Sequence, residues 1–164
     1  MVPEIKKILC PTDMSDTSNY AFNYAASIAN RYDASITVLH VLNNPMPTSE
    51  NLVTNVLGTR RWQAILDQNK TEVIKNIRLR LENYCEMTRA ELSSCPFLMD
   101  EVIVKIGNPV QEILLETNSK NYDLVILSAH GQGALADTLM GSVSRRVLRR
   151  SKASVLVVRL PEKE

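Results

Sequence analysis

The sequence predicts an α/β protein built on an open, Rossmann-like parallel sheet with helices on both faces. Short apolar runs alternate along the chain with longer segments whose apolar residues recur every three or four positions, the pattern of strands and amphipathic helices. Residues 123–127 are also nearly all apolar, as expected for a parallel strand covered on both faces. The length of 164 residues fits a single domain, spanning 1–164, with one core.

The first unit of this pattern is strand, helix, strand. Residues 5–10 form a predicted buried strand that ends at Pro11, and Ser15 or Asp16 can cap the helix that follows. That helix has an apolar face at helical spacing, formed by Ala21, Tyr24, Ala25, Ile28 and Ala29. Residues 35–41 are rich in β-branched side chains and are predicted to be the second strand.

A long segment, from about residue 42 to residue 96, separates the second strand from the third and is expected to be a helical insertion. Ser49 can cap a short helix that stops at Gly58. A long amphipathic helix follows, with its apolar face marked by Trp62, Ile65, Leu66, Val73, Ile74, Ile77, Leu81 and Tyr84.

The second half of the chain repeats the alternation. Residues 97–106 contain the third strand, and Asn108 and Pro109 are typical of a helix N-cap and first position. Val110, Ile113 and Leu114 are expected to face inward. Residues 123–127 are the fourth strand, 128–140 a loop, 142–150 a helix and 154–158 the fifth strand.

Composition and charge narrow the classes of function. The net charge of +1 gives no global field for nucleic acid or membrane. The chain has neither a signal-peptide pattern nor an apolar run of roughly 18 residues, so we expect a cytoplasmic protein with no membrane partner. Three cysteines without metal-type spacing fit a reducing compartment, a Cys85–Cys95 bridge being the alternative, and Cys10 is expected to be a buried apolar residue.

The most informative segment is the loop that follows the fourth strand. Gly131 and Gly133 allow the backbone to approach a ligand closely, and Gly141 precedes a helix whose free N–H groups favour phosphate. Ser142 and Ser144 add hydroxyl donors, although a plain glycine turn with Ser142 as an N-cap is the alternative. The chain has neither the P-loop motif nor the dinucleotide motif, and two histidines without a zinc pattern give no hydrolase site.

These segments together resemble the universal stress protein family over nearly the full length. The resemblance rests on the start Ile8-Leu9-Cys10-Pro11-Thr12-Asp13, on His40-Val41, on Gly107-Asn108-Pro109 and on the C-terminal loop. That loop matches the spacing of the family's ATP signature G-x2-G-x9-G-[ST], with Ser128 at the first glycine. A serine there is strained only if the position needs a positive φ. The resemblance implies a five-stranded sheet in the order 3-2-1-4-5.

The resemblance also implies a site for ATP, with Mg²⁺. Pro11, Thr12 and Asp13 would line its adenine and ribose end. The remaining positions are Val41 against adenine, Leu127 and Ser128 beside the ribose, and Gly131, Gly141, Ser142 and Val143 around the triphosphate, with His130 and Ser144 nearby. No metal site made of protein ligands alone is expected.

The function that these residues predict is a nucleotide-dependent regulatory switch in the stress response, read by a protein partner, and not an enzyme. Slow ATP hydrolysis at the same site and a nucleotide-free scaffold are the alternatives. The family resemblance further implies a homodimer paired through residues 155–158, from Val155 to Val158. The basic cluster Arg145, Arg146, Arg149, Arg150 and Lys152 is expected to lie toward the C-terminal end of the last helix, where the macrodipole favours cations, rather than to bind nucleic acid.

Overall fold

A computed structural model describes residues 2–43, 59–91, 98–131 and 140–161, with the backbone alone for 59–69 and 98. The predicted short helix at 49–58, the apolar positions Trp62, Ile65 and Leu66, and Cys95 lie outside the residues or side chains described. No helix within the described ranges is long and apolar enough to cross a bilayer.

The sheet has five parallel strands in the order β3-β2-β1-β4-β5, which confirms the predicted α/β class and strand order. Because β1 lies in the middle, it pairs with β2 on one side and with β4 on the other. The strands are β1 (Lys7–Thr12), β2 (Ser35–Leu42), β3 (Leu98–Ile106), β4 (Leu124–Ser128) and β5 (Ser154–Val158).

Helices cover both faces of the sheet. In the described part of the chain they are α1 (Asp16–Tyr32), α2 (Thr59–Glu91), α3 (Pro109–Ser119) and α4 (Ser142–Arg150). One apolar cluster joins Ile8 and Val38 to the buried faces of α1 and α2. A second cluster joins Leu9 and Leu39 to α3 and α4 on the opposite face. This division follows from the two-residue alternation of side chains along each strand.

The helix ends agree with the capping residues in the sequence. Ser15 is the N-cap of α1 and accepts a hydrogen bond from Ser18 N at 3.2 Å, which decides between the two predicted caps. Asn108 caps α3 through Gln111 N at 3.2 Å, and Pro109 occupies the first turn of that helix, as predicted.

Two predicted inward positions are wrong. Tyr24 of α1 is 46% exposed, because Phe22 takes the buried place on that helix. Val73 of α2 is 45% exposed, while Leu81 and Cys85 contact the core further along the helix. In both helices the apolar stripe is wider than the face that the sheet covers.

Two of the cysteines are buried thiols. Cys10 is fully buried, as expected of a small apolar residue, and burial together with the nearby Cys85 raises its pKa to about 12. Cys85 is a free thiol whose pKa burial also raises to about 12. Both are therefore protonated and unreactive at neutral pH.

A buried carboxylate ties α3 to the edge of the sheet. Glu116 is 4% exposed and accepts a hydrogen bond from Lys105 Nζ of β3 at 2.8 Å. Lys120 Nζ lies 3.4 Å from its other oxygen, to which the Tyr122 hydroxyl also donates at 3.3 Å. Burial opposes ionisation, but Lys105 and Lys120 outweigh it, so the pKa of Glu116 is lowered from 4.5.

Replacing Glu116 with Gln should lower the free energy of unfolding at pH 7 by about 2 kcal/mol, the scale of lost charge-assisted hydrogen bonds. Since the folded-state pKa is the lower one, this contribution is fully present above pH 4.5 and is lost as pH falls through the folded value. Urea unfolding at several pH values measures it. Glu101→Gln, which removes the half-exposed partner of Lys120, is the control and should cost about 0–1 kcal/mol. Equal, pH-independent losses for both variants would contradict the assignment.

Candidate functional site

A cavity of about 610 Å³ opens at the carboxyl edge of the sheet, within the size range of small-molecule sites. It lies where β1 and β4 are adjacent and the strand order reverses, the usual position of ligands in such sheets. Its lining is Pro11, Thr12, Asp13, Leu39, His40, Val41, Leu42, Asn43, Pro109, Ile113, Leu127, Ser128, Gly131, Met140, Gly141, Ser142, Val143, Ser144 and Arg145.

Eleven of the twelve site residues proposed from the sequence line this one cavity, and His130 does not. The sequence interpretation did not include eight lining residues: Leu39, His40, Leu42, Asn43, Pro109, Ile113, Met140 and Arg145. Pro109 and Ile113 begin α3, which follows β3 at the same edge of the sheet. That topology could have identified both residues from the sequence.

The turn between β1 and α1 shapes one wall. Asp13 Oδ1 accepts a hydrogen bond from Ser15 N at 3.1 Å and another from the Ser15 hydroxyl, an Asx-turn that holds the carboxylate. Met14 has a φ of 65°, and its N–H donates to Thr12 Oγ1 at 3.0 Å. Thr12 Oγ1 also lies 2.9 Å from Ser18 Oγ of α1. The wall is thus fixed by short-range polar contacts.

The loop after β4 forms the opposite wall, and its two ends are held together. Gly141 N donates to Ala129 O at 2.7 Å, and the Ser144 hydroxyl donates to Ser128 O at 2.7 Å. Ala129 N in turn donates to Val158 O of β5 at 2.7 Å. The hydroxyl of Ser144 therefore secures the loop, although the sequence suggested it as a ligand donor.

Ser128 is not strained. Its position lies in β4, paired with Val158, and Met14, Asp33 and Asn121 are the non-glycine residues with positive φ in the described ranges. A Cβ is therefore tolerated at the one signature position that is not glycine.

The two signature glycines lie close to each other. A Cβ on Gly141 would be 3.9 Å from Gly131 N and 3.4 Å from Ala129 O, which is ordinary contact. A Cβ on Gly131 would instead overlap Asp13 Oδ2. Gly131 thus leaves room for the Asp13 carboxylate, which would have to move aside for any larger residue.

The N-terminus of α4 lines the cavity. Its N-cap is Gly141, no side chain in the described residues caps it, and its first turn has no acidic residue. Ser142 and Val143, which follow, both line the cavity. The N–H groups and positive dipole at such a helix end favour an anion.

The opposite end of the cavity is apolar. Val41 is half buried, and Leu39 and Leu127 behind it belong to the core cluster on the α3 side of the sheet. Ile113 of α3 completes this surface and is 3% exposed. The cavity thus joins an apolar surface to an anion-binding helix end.

The two histidines differ in how they contact the site. His40 is 8% exposed, and its Nδ1 lies 2.8 Å from Thr12 O. The carbonyl of His130 accepts a hydrogen bond from Thr17 Oγ1 at 2.8 Å, which ties the loop to α1. Among the described residues no three His, Cys, Asp or Glu side chains are grouped to hold a metal ion.

Comparison with known proteins identifies the family. A family model described as the universal stress protein family matches residues 4–159. The chain belongs to the universal stress protein family. It is 31% identical to universal stress protein YxiE of Bacillus subtilis over 93% of this chain and 98% of that protein. It is 27% identical to universal stress protein MJ0577 of Methanocaldococcus jannaschii over 94% of each chain.

Solved structures share the universal stress protein fold. The structure of MJ0577 covers 98% of this chain and 100% of its own, with a TM-score of 0.72 and 28% identity. A universal stress protein in complex with cAMP has a TM-score of 0.61 at 20% identity, covering 96% of this chain and 98% of that one. A family protein from Arabidopsis thaliana with AMP bound has a TM-score of 0.55 at 16% identity, covering 94% and 91%.

Gly131→Ala should destabilise the protein by about 1.5 kcal/mol, because the new Cβ displaces the Asp13 carboxylate and breaks its hydrogen bonds with Ser15. Once Asp13 is replaced by Ala, the same substitution should cost almost nothing. Urea unfolding of the four proteins of this double-mutant cycle measures the coupling. An equal cost of Gly131→Ala in both backgrounds would contradict the contact.

Proposed function

We propose that this universal stress protein binds an adenine nucleotide, ATP, in the cavity at the carboxyl edge of its sheet. One observation carries the proposal: a single cavity joins an apolar surface at Val41 and Ile113 to the uncapped N-terminus of α4. A nucleotide combines the same two properties, because its base is flat and weakly polar while its phosphates are anionic.

The lining suggests how the ligand is oriented. Val41 and Pro11 would contact the base, and Thr12, Leu127 and Ser128 would surround the ribose, with Asp13 between the ribose and the phosphates. The phosphates would lie against Gly131, Gly141, Ser142 and Val143, where backbone N–H groups are the donors. The structures of relatives with cAMP and with AMP support an adenine nucleotide as the ligand class.

Magnesium would accompany the phosphates rather than occupy a site of its own. Asp13 is the single carboxylate lining the described cavity, and no three-ligand cluster exists in the described ranges. Mg²⁺ typically takes one or two protein carboxylates and completes its shell with phosphate oxygens and water. Asp13 fits that role, since it lies beside Gly131 at the phosphate end of the cavity.

We propose binding rather than turnover. Asp137 and His130 are the residues of the loop that could act as a general base, and of these His130 does not line the cavity, while Asp137 lies outside the described residues. The nucleotide would then act as a signal in the stress response, read by a protein partner in the cytoplasm. Incubation with ATP and Mg²⁺ followed by chromatography tests the slow-ATPase alternative, which steady release of ADP would favour.

The described part of 42–96 contributes little to the cavity. Leu42 and Asn43 line it, but α2 packs with α1 on the other face of the sheet. A nucleotide-dependent change in α2 would therefore have to pass through the sheet or through α1.

Isothermal titration of the protein with ATP and Mg²⁺ should show one site. Val41→Glu should lower the affinity at least tenfold, because a carboxylate would lie in the apolar end of the cavity, where the base would have to displace its water. Val73→Glu is the matched control, since Val73 is 45% exposed and lies on α2. No heat of binding with wild-type protein at millimolar ATP would reject the proposal in favour of a nucleotide-free scaffold.

We also propose that two copies pair through β5. This strand is hydrogen-bonded to β4 on one side, and its Val155, Leu156 and Val157 are half buried although they lie at the sheet edge. An apolar edge strand is usually covered by another chain segment. The family resemblance indicates that the segment is the same strand of a second copy.

Val157→Lys should therefore halve the mass measured by light scattering, because the charge would enter the paired surface. Leu148→Lys is the control, since Leu148 is 42% exposed and lies on α4 rather than on β5, and it should leave the mass unchanged. A wild-type mass equal to that of one chain would contradict the dimer.

A further inference from the structure

The lining of the cavity includes a cation that the signature motif does not contain. Arg145 is the only lysine or arginine among the lining residues in the described part of the chain. It makes no ion pair with any described acidic residue, and its side chain is exposed. Its neighbour Arg146 is also exposed but does not line the cavity.

Without a bound anion, the positive charge of Arg145 near the N-terminus of α4 is electrostatically unfavourable. It lies in the first turn and a half of α4, and its N–H donates to Gly141 O at 3.0 Å. Cations are disfavoured near a helix N-terminus, and among the described residues neither a side-chain cap nor an acidic residue in the first turn offsets the charge. Arg149 and Arg150 lie in the last turn of the same helix, where the dipole favours them.

The direction of the side chain brings the charge to the phosphate end. Helical side chains lean toward the N-terminus and cover the preceding turn, so Arg145 covers the turn that begins at Gly141 and Ser142. Asp13 lies against Gly131 at the same end, where the proposed Mg²⁺ would offset its charge. The charge of a nucleotide grows with the number of its phosphate groups, so a cation at this end matters most for ligands that carry several of them.

We infer that Arg145 binds the terminal phosphates of the nucleotide and makes the site selective for ligands with more phosphate groups. The inference rests on the proposed function. The guanidinium presents parallel N–H donors that match two phosphate oxygens, beyond the reach of the backbone N–H groups at Gly141 to Val143. Arg145 thus supplies the discrimination among nucleotides, while the apolar end retains the base.

Titration calorimetry with adenosine, AMP, ADP and ATP tests this on the full-length protein, with Arg145→Gln, Arg145→Lys and Arg146→Gln. Arg145→Gln should lower the affinity for ATP about tenfold, for ADP by a smaller factor, for AMP by a still smaller one, and for adenosine by less than twofold. Arg145→Lys should fall between wild type and Gln, because it keeps the charge but loses the fork. Arg146→Gln should change no ligand by more than twofold. Thermal unfolding without ligand should be unchanged or slightly raised for Arg145→Gln, since a cation leaves the helix N-terminus.

Three results would overturn the inference in distinguishable ways. If Arg145→Gln weakens adenosine as much as ATP, the residue supports the shape of the cavity and not phosphate binding. If Arg146→Gln weakens ATP binding as much as Arg145→Gln does, the effect comes from the overall positive charge and not from the position of Arg145. If wild-type protein binds none of the four ligands, the proposed function itself fails and Arg145 has no nucleotide to select.

Discussion

The parallel pairing of β1 with both β2 and β4 is the constraint on which the rest of the structure depends. Each pair of consecutive strands is then joined by a crossover helix. Because these crossovers are right-handed, α1 lies on one face of the sheet, and α3, which carries the chain back past β1 to β4, lies on the other. The helices that leave the two halves of the sheet diverge at that point. The cavity is the space between them, lined by the ends of β1, β2 and β4.

Much of this could be predicted from the sequence because strands and helices here differ clearly in apolar period. The bounds predicted for α4 and β5 are those observed, and β1 is displaced by two residues, since Pro11 and Thr12 continue the pairing with β2. Periodicity does not specify how wide a face the sheet covers, so Tyr24 and Val73 were assigned inward. Arg145 was grouped with the cations at the C-terminal end of the last helix, which is wrong, because it lies near the N-terminus of α4 and lines the cavity.

Some polar residues of the site hold its loop in place and others are left to contact a ligand, a distinction that the motif alone does not give. Of the polar residues near the loop, Ser144 and Thr17 hold backbone carbonyls at Ser128 and His130, and Asp13 is held by Ser15. The groups left to meet an anion are backbone N–H groups, the Ser142 hydroxyl and one guanidinium. A serine at the first signature position is compatible with this arrangement, because that residue is an extended part of β4 and its carbonyl, not its side chain, makes the contact with α4.

The hydrogen bond from Gly141 N to Ala129 O joins the two ends of the loop that follows β4. The two ends are hydrogen-bonded to each other and to β5, and these bonds hold the start of α4 against β4 and β5. Lengthening a closed loop adds little entropy cost, about 0.6 kcal/mol for each doubling of length. A longer chain between residues 131 and 140 would leave these described hydrogen bonds intact, so the number of residues between the two ends can change while the start of the helix is kept.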